Sequence, residues 1–406
     1  MNISVQSSMK QKRNILMIPS WYPTPENPVV GGFFQQQAAL FQEQFDVKVI
    51  YGYSPYLEHK TLYGRYHRYT TLERNRNYEI LLKDPIPTIR FSNGLWWMSE
   101  KSLINVIIAG YRRKLRSLIN SGWKPDLLHA QCVELAGIVA ARLSKEFQIP
   151  WVLTEHQVFA LANYSTYRQK MIRDALASVK LIAGVSQHQL RCIAIHNIDR
   201  PMIVVGNLVD ETAFALSNRK ERPNPFRILT VTWPGLIKDP ETFFRALAKM
   251  VEKGHNDIEA IVIGKKLHSK SDTTDLEQMA DKYKVKEFCQ FIPSIPYCEM
   301  PKLYAEADVF VSTSVAETFG LAVREAMLTG KPVVSTASGG VDEDILPFNG
   351  IKVDLRDYQA IADAIISIKT SKFNYDPIKS REYIISKYGR QVFLDKMNLL
   401  FERAMV

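Results

Sequence analysis

The stretch Val309-Phe-Val-Ser-Thr-Ser-Val-Ala-Glu-Thr-Phe-Gly-Leu-Ala-Val-Arg-Glu-Ala-Met-Leu328 predicts a strand, a turn and a helix in succession. Its first four residues form a short apolar run, which is typical of a buried strand. Gly320 stands in the turn, where the absence of a Cβ lets a ligand approach the backbone closely. The run Leu321–Leu328 has the residue pattern of a helix, and we expect Thr329-Gly330 to end it. The segment therefore predicts one β–α unit with a turn that a ligand can reach.

The same alternation of short β-branched runs and helical patterns continues along the whole chain. Strands are predicted at Asn14–Pro19, Val47–Tyr51, Pro87–Phe91, Leu127–Ala130, Trp151–Thr154, Leu181–Val185 and Met202–Val205, and then at Arg227–Val231, Ala260–Ile263, Cys289–Ile292, Val309–Ser312, Pro332–Ser335 and Ile351–Val353. Helices are predicted between most of them, including Phe34–Gln44, Val133–Phe147, Pro240–Glu252, Met300–Glu306 and Leu321–Leu328. Alternating β and α units indicate parallel sheets that are covered by helices on both faces.

We therefore predict an α/β chain of two doubly wound, Rossmann-like domains that face a cleft. The boundary is expected at residues 207–225, because proline and charged residues there favour an exposed connection. Residues 1–206 would form the N-terminal domain and residues 226–387 the C-terminal domain. Residues 388–406 would form a single helix that packs back on the N-terminal domain. A single eight-stranded barrel is the alternative, and the polar break argues against it.

Composition places the chain among ordinary globular proteins. It has 406 residues, of which 46% are hydrophobic and 23% charged. No apolar run approaches the roughly 20 residues that cross a bilayer, and the run from Ile15 to Ile18 is too short for a signal-peptide core. Four cysteines stand far apart without a Cys-x-x-Cys pair. We therefore expect a reduced, cytoplasmic protein without disulfides or a zinc site.

The net charge of +10 favours anionic partners. The residues from Lys101 to Lys124 carry an apolar stripe at helical spacing, and a basic face that includes Arg112, Arg113 and Arg116. Such a helix can lie on an anionic membrane surface, but an ordinary packed helix has the same apolar stripe. We favour the packed helix for the apolar stripe and leave the role of the basic face open. No nucleic-acid partner is expected, because the basic residues are scattered and no recognised binding module is present.

Two carboxylates flank the turn that contains Gly320. Glu317 precedes the helix and Glu325 lies in its second turn. Ionised carboxylates accept hydrogen bonds from sugar hydroxyls, and a helix N-terminus offers N–H groups to an anion. From chemistry alone, Glu317 can equally be a helix-capping residue and Glu325 a solvent-facing one.

This spacing resembles the signature of the retaining glycosyltransferases of family 4, which have the two-domain GT-B fold. In the signature, Phe-Gly follows the first glutamate and Ala-Met follows the second. Other segments occur in the order typical of that family, and the resemblance extends over most of the chain. They are Val30-Gly-Gly-Phe-Phe-Gln-Gln-Gln-Ala38, Pro125-Asp-Leu-Leu-His-Ala130, Thr154-Glu-His156, Val185-Ser186, Val205-Gly-Asn-Leu-Val-Asp210, Ala307-Asp-Val-Phe310, Lys331-Pro-Val-Val-Ser335 and Ser338-Gly-Gly340.

The resemblance implies that the C-terminal domain binds a nucleoside-diphosphate sugar and that the N-terminal domain binds the acceptor, with no cofactor. Glu325 would hold the ribose, and Glu317 would lie near the donor sugar. His156 matches the histidine that lines the reaction centre, whereas His129 matches a second family histidine for which a structural role is equally open. Backbone contacts to the sugar or the diphosphate would come from Phe319, Gly320 and Leu321, and from Gly31 and Gly32 of the opposite domain.

The chain differs from the family at a position where the family has a positively charged residue. The family places an arginine and a lysine, five residues apart, after the first strand of the C-terminal domain, where they neutralise the diphosphate leaving group. Lys238 occupies the lysine position, but Trp233 stands where the arginine is expected. Lys265 and Lys266 are candidates for the missing cation, although a solvated lysine pair is the alternative. Without a substitute, the activity would be weak or absent.

Asp342-Glu-Asp344 has the spacing of a metal-binding Asp-x-Asp motif. It follows a glycine pair, so we expect it to open a helix, and we expect no metal site.

The sequence thus predicts retaining transfer of a sugar from a nucleoside-diphosphate sugar to a saccharide or lipid-linked acceptor, in cell-surface polysaccharide synthesis such as that of capsule or lipopolysaccharide. His156, Glu317 and Lys238 would be catalytic. The anionic inner membrane face is a candidate partner. A sugar-nucleotide epimerase of the same fold and a catalytically weak nucleotide-sugar-binding relative are the alternatives. The sequence identifies neither the base, nor the sugar, nor the acceptor.

Overall fold

The computed structural model describes residues 12–24, 30–53, 84–92, 98–216, 225–264, 273–293 and 295–406. Within these ranges the strands form two parallel sheets. The first has the order β3-β2-β1-β4-β5-β6-β7 and the second β10-β9-β8-β11-β12-β13. The strands are β1 Asn14–Pro19, β2 Asp46–Tyr53, β3 Thr88–Ser92, β4 Leu127–Gln131, β5 Trp151–Glu155, β6 Leu181–Gly184, β7 Met202–Val204, β8 Phe226–Val231, β9 Ile258–Ile263, β10 Cys289–Ile292, β11 Val309–Ser312, β12 Val333–Thr336 and β13 Gly350–Val353.

Helices lie on both faces of each sheet. They are α1 Gly32–Phe41, α2 Glu100–Asn120, α3 Ile138–Phe147, α4 Thr166–Leu176, α5 Gln187–Ala194, α6 Pro240–Glu252, α7 Thr274–Lys282, α8 Met300–Glu306, α9 Leu321–Leu328, α10 Tyr358–Lys369, α11 Pro377–Tyr388 and α12 Arg390–Met405. In β1, Ile15 and Met17 pack with α1 and α12, whereas Leu16 and Ile18 pack with α2, α3 and α4. In the second sheet, α6, α7 and α10 cover one face, and α8, α9 and α11 cover the other.

Parallel pairing brings the carboxyl ends of neighbouring strands to one edge. Strand β1 pairs with β4 from Ile15 opposite Leu127 to Pro19 opposite Gln131, and Gln131 is opposite Thr154 of β5. In both sheets the strand order reverses beside the first strand, between β1 and β4 and between β8 and β11. Ligands of doubly wound folds bind beyond the carboxyl ends of strands at this switch point.

The predicted architecture of two Rossmann-like domains is confirmed, and the single-barrel alternative is wrong because the strands form two separate sheets. Each predicted strand is present, with ends within two residues of the expected ones. The prediction of a helix over Val133–Phe147 is wrong in part. Helix α3 begins only at Ile138, because Cys132 and Leu135 adopt positive φ values of 69° and 64°. The expected terminal helix is present as α12 and begins at Arg390, because the extended backbone of Gly389 (ψ 164°) separates it from α11.

Of the expected connection 207–225, the structure describes residues 207–216 and 225, and the charged segment that suggested exposure lies outside the described residues. Val209 and Phe214 are buried in the core of the C-terminal domain, together with residues of α8, α9 and α11. Helix α12 crosses back and packs on the N-terminal sheet, where Phe401 meets Phe41 edge to face at 5.4 Å.

The apolar stripe of α2 packs into the N-terminal core, with Ile104, Ile107 and Tyr111 at 1% exposure or less. On its basic face, Arg112 and Arg116 both pair with Glu146 of α3. Of the two interpretations of this apolar stripe, the structure supports the packed helix over the membrane-surface helix. Among the described residues, no helix combines the length and the apolar character needed to cross a bilayer.

The expectation that Asp342-Glu-Asp344 opens a helix is wrong, because the segment lies in turns. The carboxylate of Asp344 is fully buried. It pairs with Arg324 of α9 and, at 2.6 Å, with Lys387 of α11. Nearby cations hold the pKa of Asp344 below its usual value although burial acts in the opposite direction. This carboxylate therefore joins α9 to α11.

Candidate active site

A cavity of about 290 Å³ lies between the two domains. Trp21, Phe33 and His156 line it from the N-terminal side. From the C-terminal side it is lined by Lys238 and by the turn that leads into α9. The lysine follows β8 and the turn follows β11, so the cavity lies at the switch point of the second sheet.

The turn before α9 is held in one conformation by its backbone. Gly320 has φ 68°, and a Cβ at this position would meet Val341 at 3.0 Å. The backbone N–H of Glu317 donates to Ser338 O at 2.9 Å, and that of Gly340 donates to Glu317 O at 2.8 Å. Gly320 and Leu321 line the cavity, so the positive end of the α9 dipole faces it. An anionic group fits this position.

Phe319 is among the residues that line the cavity, and it is buried. The ring packs edge to face on Tyr388 at 5.0 Å, and the Arg324 guanidinium lies 3.9 Å from its centre. The ring therefore anchors the turn to α9 and α11.

Lys238 and Glu317 form an ion pair in the cavity wall. Both side chains are largely buried, with 15% and 14% exposure. Ser314 Oγ also donates to Glu317 Oε1 at 2.8 Å. A diphosphate carries more negative charge than one carboxylate, so it can compete with Glu317 for the ammonium group.

Trp233 lies beside this pair. The Lys238 ammonium is 4.7 Å from the centre of its ring, which is a cation–π distance, and 38% of the residue is exposed. The aromatic face thus contacts the lysine at the place where the resembling family has a second cation. Lys265 and Lys266 lie outside the described residues.

His156 is placed by the end of β5 and reaches the cavity from the opposite domain. Its ring meets Phe34 edge to face at 5.0 Å, and its Nε2 lies 2.6 Å from Gln131 Oε1. Burial disfavours the imidazolium and lowers the pKa of His156 to about 3, so the ring is neutral near pH 7. Its backbone carbonyl accepts a hydrogen bond from Thr318 Oγ1 at 2.8 Å. This bond joins the histidine loop to the turn before α9.

Sequence reasoning missed Glu155, which shapes the loops around His156. Its buried carboxylate accepts backbone hydrogen bonds from Val133 at 2.8 Å and from His156 and Gln157 at 2.9 Å. Burial raises the pKa of Glu155 despite these bonds. An acidic residue directly after an apolar strand, within Thr154-Glu-His156, was the available signal.

Glu325 is buried rather than solvent-facing, so that alternative is wrong. Tyr297 donates to its Oε1 at 2.7 Å and Tyr304 donates to its Oε2 at 2.9 Å. Burial raises the pKa of Glu325 to about 7, although both hydrogen bonds act to lower it. Neither tyrosine was singled out from the sequence, because nothing local links them to Glu325.

The two remaining predicted groups lie in the N-terminal domain. Gly31 has φ 78°, and a Cβ there would approach Trp21 O to 2.9 Å; Gly32 is the first residue of α1. His129 is fully buried in the core, where its Nε2 lies 2.8 Å from Thr154 Oγ1. The structure thus brings together six of the predicted residues at the cavity, namely His156, Lys238, Glu317, Phe319, Gly320 and Leu321. Four others are not among the residues that line it, namely Gly31, Gly32, His129 and Glu325.

Two Rossmann-like domains with one cavity between them define a protein of the GT-B class. Residues 217–392 match the model of the glycosyl transferases group 1, and residues 59–213 match that of Glycosyltransferase Family 4. The chain belongs to the group 1 glycosyltransferases of the family 4 type.

Similar proteins include D-inositol 3-phosphate glycosyltransferase of Corynebacterium jeikeium, which is 26% identical over 59% of this chain and 63% of its own length. The chain thus spans less than two thirds of that relative. A putative teichuronic acid biosynthesis glycosyltransferase, TuaC of Bacillus subtilis, is 25% identical over 86% of this chain and 88% of its own. Among solved structures, Anabaena HepE in complex with UDP superposes with a TM-score of 0.72 and 18% identity, over 96% of this chain and 99% of that chain.

Proposed function

We propose that the chain transfers a sugar, with retention of anomeric configuration, from a nucleoside-diphosphate sugar to a saccharide or lipid-linked acceptor. The observation that carries the proposal is the cavity in which Lys238 and the N-terminus of α9 face His156 of the other domain. The solved structures of HepE contain UDP or UDP-glucose, which makes uridine donors the first to test. The similarity to TuaC over most of the chain supports a role in cell-surface polysaccharide synthesis.

In the proposed reaction, the acceptor hydroxyl attacks the anomeric carbon from the face that the diphosphate leaves. The bond between the anomeric carbon and the phosphate oxygen breaks, and the acceptor proton passes to that oxygen. Lys238 and the α9 N-terminus stabilise the developing charge on the diphosphate. Glu317, released from Lys238 when the donor binds, is free to accept hydrogen bonds from sugar hydroxyls. No protein carboxylate acts as a covalent nucleophile in this scheme.

Membrane contact belongs to the same proposal. The net charge of +10 favours an anionic surface, and a lipid-linked acceptor would place the enzyme at the inner membrane face. Since the apolar stripe of α2 is packed in the core, the contact would be electrostatic and would weaken with salt.

A catalytically weak relative that binds nucleotide sugars is the second candidate, and Trp233 is the observation that favours it. An aromatic ring cannot neutralise a second phosphate charge as an arginine does. Lys238 is paired with Glu317, so donor binding must also break that pair.

A thermal-shift screen with UDP, GDP, ADP and their glucose conjugates tests donor binding. A ligand present at 100 times its Kd stabilises a protein by about 2.7 kcal/mol, which gives a measurable rise in Tm. Transfer is then assayed with the stabilising donor and a panel of saccharide and lipid-linked acceptors, and the product's anomeric configuration is read by NMR. Donor rearranged without acceptor would instead indicate an epimerase, and tight binding without turnover would indicate the weak relative. A glycosyl ester of Glu317 in the wild-type protein, seen by mass spectrometry after incubation with the donor, would overturn the same-face mechanism.

A further inference from the structure

A chain of side-chain hydrogen bonds runs from His156 into the N-terminal domain and to the interdomain connection. His156 Nε2 lies 2.6 Å from Gln131 Oε1, and Gln131 Nε2 donates to Gln37 Oε1 at 3.4 Å. Gln37 Nε2 then donates to Asn207 Oδ1 at 3.4 Å. Gln131 is fully buried and Gln37 is 2% exposed. We call these three side chains, Gln131, Gln37 and Asn207, the amide relay.

The hydrogen bonds of the amide relay are donated in one direction, from Gln131 to Gln37 and from Gln37 to Asn207. A side-chain amide has its acceptor oxygen on one arm and its donor nitrogen on the other. Since Gln131 directs its nitrogen at Gln37, its oxygen faces His156. An oxygen can only accept, so the proton of the neutral imidazole must be on Nε2. The other ring nitrogen, Nδ1, then carries a lone pair.

Nδ1 of His156 is buried and has no hydrogen-bond partner among the residues that the structure describes, and the residue lines the cavity. A buried nitrogen lone pair without a donor costs free energy, and such orphan groups in native proteins call for an explanation. A sugar hydroxyl in the cavity is a donor of the right chemistry.

We propose that Gln131 and Gln37 are positioning residues that hold His156 in the Nε2–H tautomer, so that Nδ1 accepts a hydrogen bond from a hydroxyl of the bound substrate. The role of the hydroxyl rests on the proposed function, whereas the tautomer is a property of the free protein. The residues that would set the protonation of His156 Nδ1 come from three parts of the fold. Gln37 lies on α1, which begins at the glycine turn, Gln131 ends β4, and Asn207 begins the connection to the C-terminal domain.

The tautomer is read directly by long-range ¹H–¹⁵N NMR of protein labelled with ¹⁵N-histidine, in which the His156→Asn spectrum assigns the signal. In the wild type we expect a protonated Nε2 and an unprotonated Nδ1 throughout pH 5 to 8. The variant Gln131→Met has a similar length but no acceptor oxygen, so the Nδ1–H tautomer should become populated. The kcat/KM for transfer should fall about tenfold, as expected for the loss of one substrate hydrogen bond.

The second pair of variants changes Gln37, which hydrogen-bonds with Gln131 and not with His156 itself. Gln37→Glu keeps an oxygen that accepts from Gln131 and should keep the tautomer, whereas Gln37→Met removes it and should loosen the tautomer. Gln35→Met, on the same helix, is the matched control because Gln35 bonds Asp84 outside the amide relay. It should change neither the NMR signal nor kcat/KM.

A wild-type signal showing Nδ1–H, or an unchanged tautomer in both methionine variants, would overturn the proposal. If Gln131→Met does not fold, Gln37→Met supplies the same measurement. Should the tautomer respond as expected while no donor is ever turned over, the proposed function fails and the amide relay stands. If transfer occurs but Gln131→Met retains full kcat/KM with an altered tautomer, the substrate contact at Nδ1 is wrong.

Discussion

At the scale of single residues, Glu325 combines complete burial with two tyrosine donors, which makes its charge state responsive to pH near neutrality. Burial raises its pKa from an ordinary 4.5 to about 7. Between these two values the folded protein holds a proton that the unfolded chain releases. The stabilisation from that proton is present below about pH 4.5 and is lost as pH rises through 7.

Glu325→Gln should therefore gain stability relative to the wild type as pH rises, because glutamine has no charge to bury. The gain between pH 5 and pH 8 is at most about 3 kcal/mol, the equivalent of the pKa shift. Urea unfolding at the two pH values measures it. A difference between the two proteins that does not change with pH would contradict the buried, titrating carboxylate.

Ionisation of Glu325 lowers the stability of the fold, but it should strengthen nucleotide binding. Only the carboxylate form of Glu325 is a pure acceptor for ribose hydroxyls, so the Kd of the preferred nucleoside diphosphate should fall by up to about tenfold from pH 6 to pH 8. Calorimetry with Glu325→Gln as control separates this effect from ionisation of the phosphate. If Glu325→Gln binds as tightly as the wild type at pH 8, Glu325 does not hold the ribose.

In the proposed reaction, Trp233 limits how much positive charge faces the leaving group. Trp233→Arg would add a guanidinium beside Lys238, and we expect kcat/KM for transfer to rise by about tenfold, since one well-placed cation or donor contributes that much or more. Trp233→Phe keeps an aromatic face for the lysine and should change kcat/KM little. Equal or lower activity of the arginine variant would show that this chain stabilises its leaving group differently.

At the scale of elements, strands were predictable because a short apolar run carries the information locally. The segment from Val133 to Gly137 was not, since its backbone is held by the carboxylate of Glu155, which lies on the next strand. Asp344 likewise looked like a helix start, but its partners come from α9 and α11. The position of the cavity followed from the strand ends, whereas the tyrosines around Glu325 depend on tertiary contacts that no local pattern reveals.

Replacing Glu155 should show how strongly that loop depends on it. Glu155→Leu leaves three backbone N–H groups without their acceptor, and because those of Val133 and His156 are buried, the cost is at least about 2 kcal/mol in unfolding free energy. Glu146→Gln, a surface carboxylate on α3, should cost less than about 1 kcal/mol. Equilibrium unfolding of the two variants measures both, and similar stabilities would argue against the anchoring role.

At the scale of the whole molecule, the chain passes between the two domains in two places, after β7 and between α11 and α12. The two segments contact each other at Tyr388. The Val209 N–H donates to the Tyr388 carbonyl at 3.1 Å, and the Tyr388 ring packs so close to Gly206 that a Cβ there would lie 2.7 Å from it. Tyr388 also packs on Phe319 of the turn before α9. Rotation at this junction would therefore move the turn before α9 relative to His156.

The hydrogen bond from Thr318 Oγ1 to the His156 carbonyl joins the two domains beside the cavity, and we expect it to favour a closed arrangement of them. Thr318→Val removes the donor while keeping the shape of the side chain. A hydrogen bond contributes about 1 kcal/mol, so the balance between closed and open arrangements should shift about fivefold toward open. Small-angle X-ray scattering should show a larger radius of gyration for the variant without donor, and a saturating donor should restore the wild-type value. Thr166→Val, at the start of α4 on the outer face, is the control that should leave the scattering unchanged. If Thr318→Val scatters as the wild type does, the contact does not govern closure, and the junction at Tyr388 must hold the domains by itself.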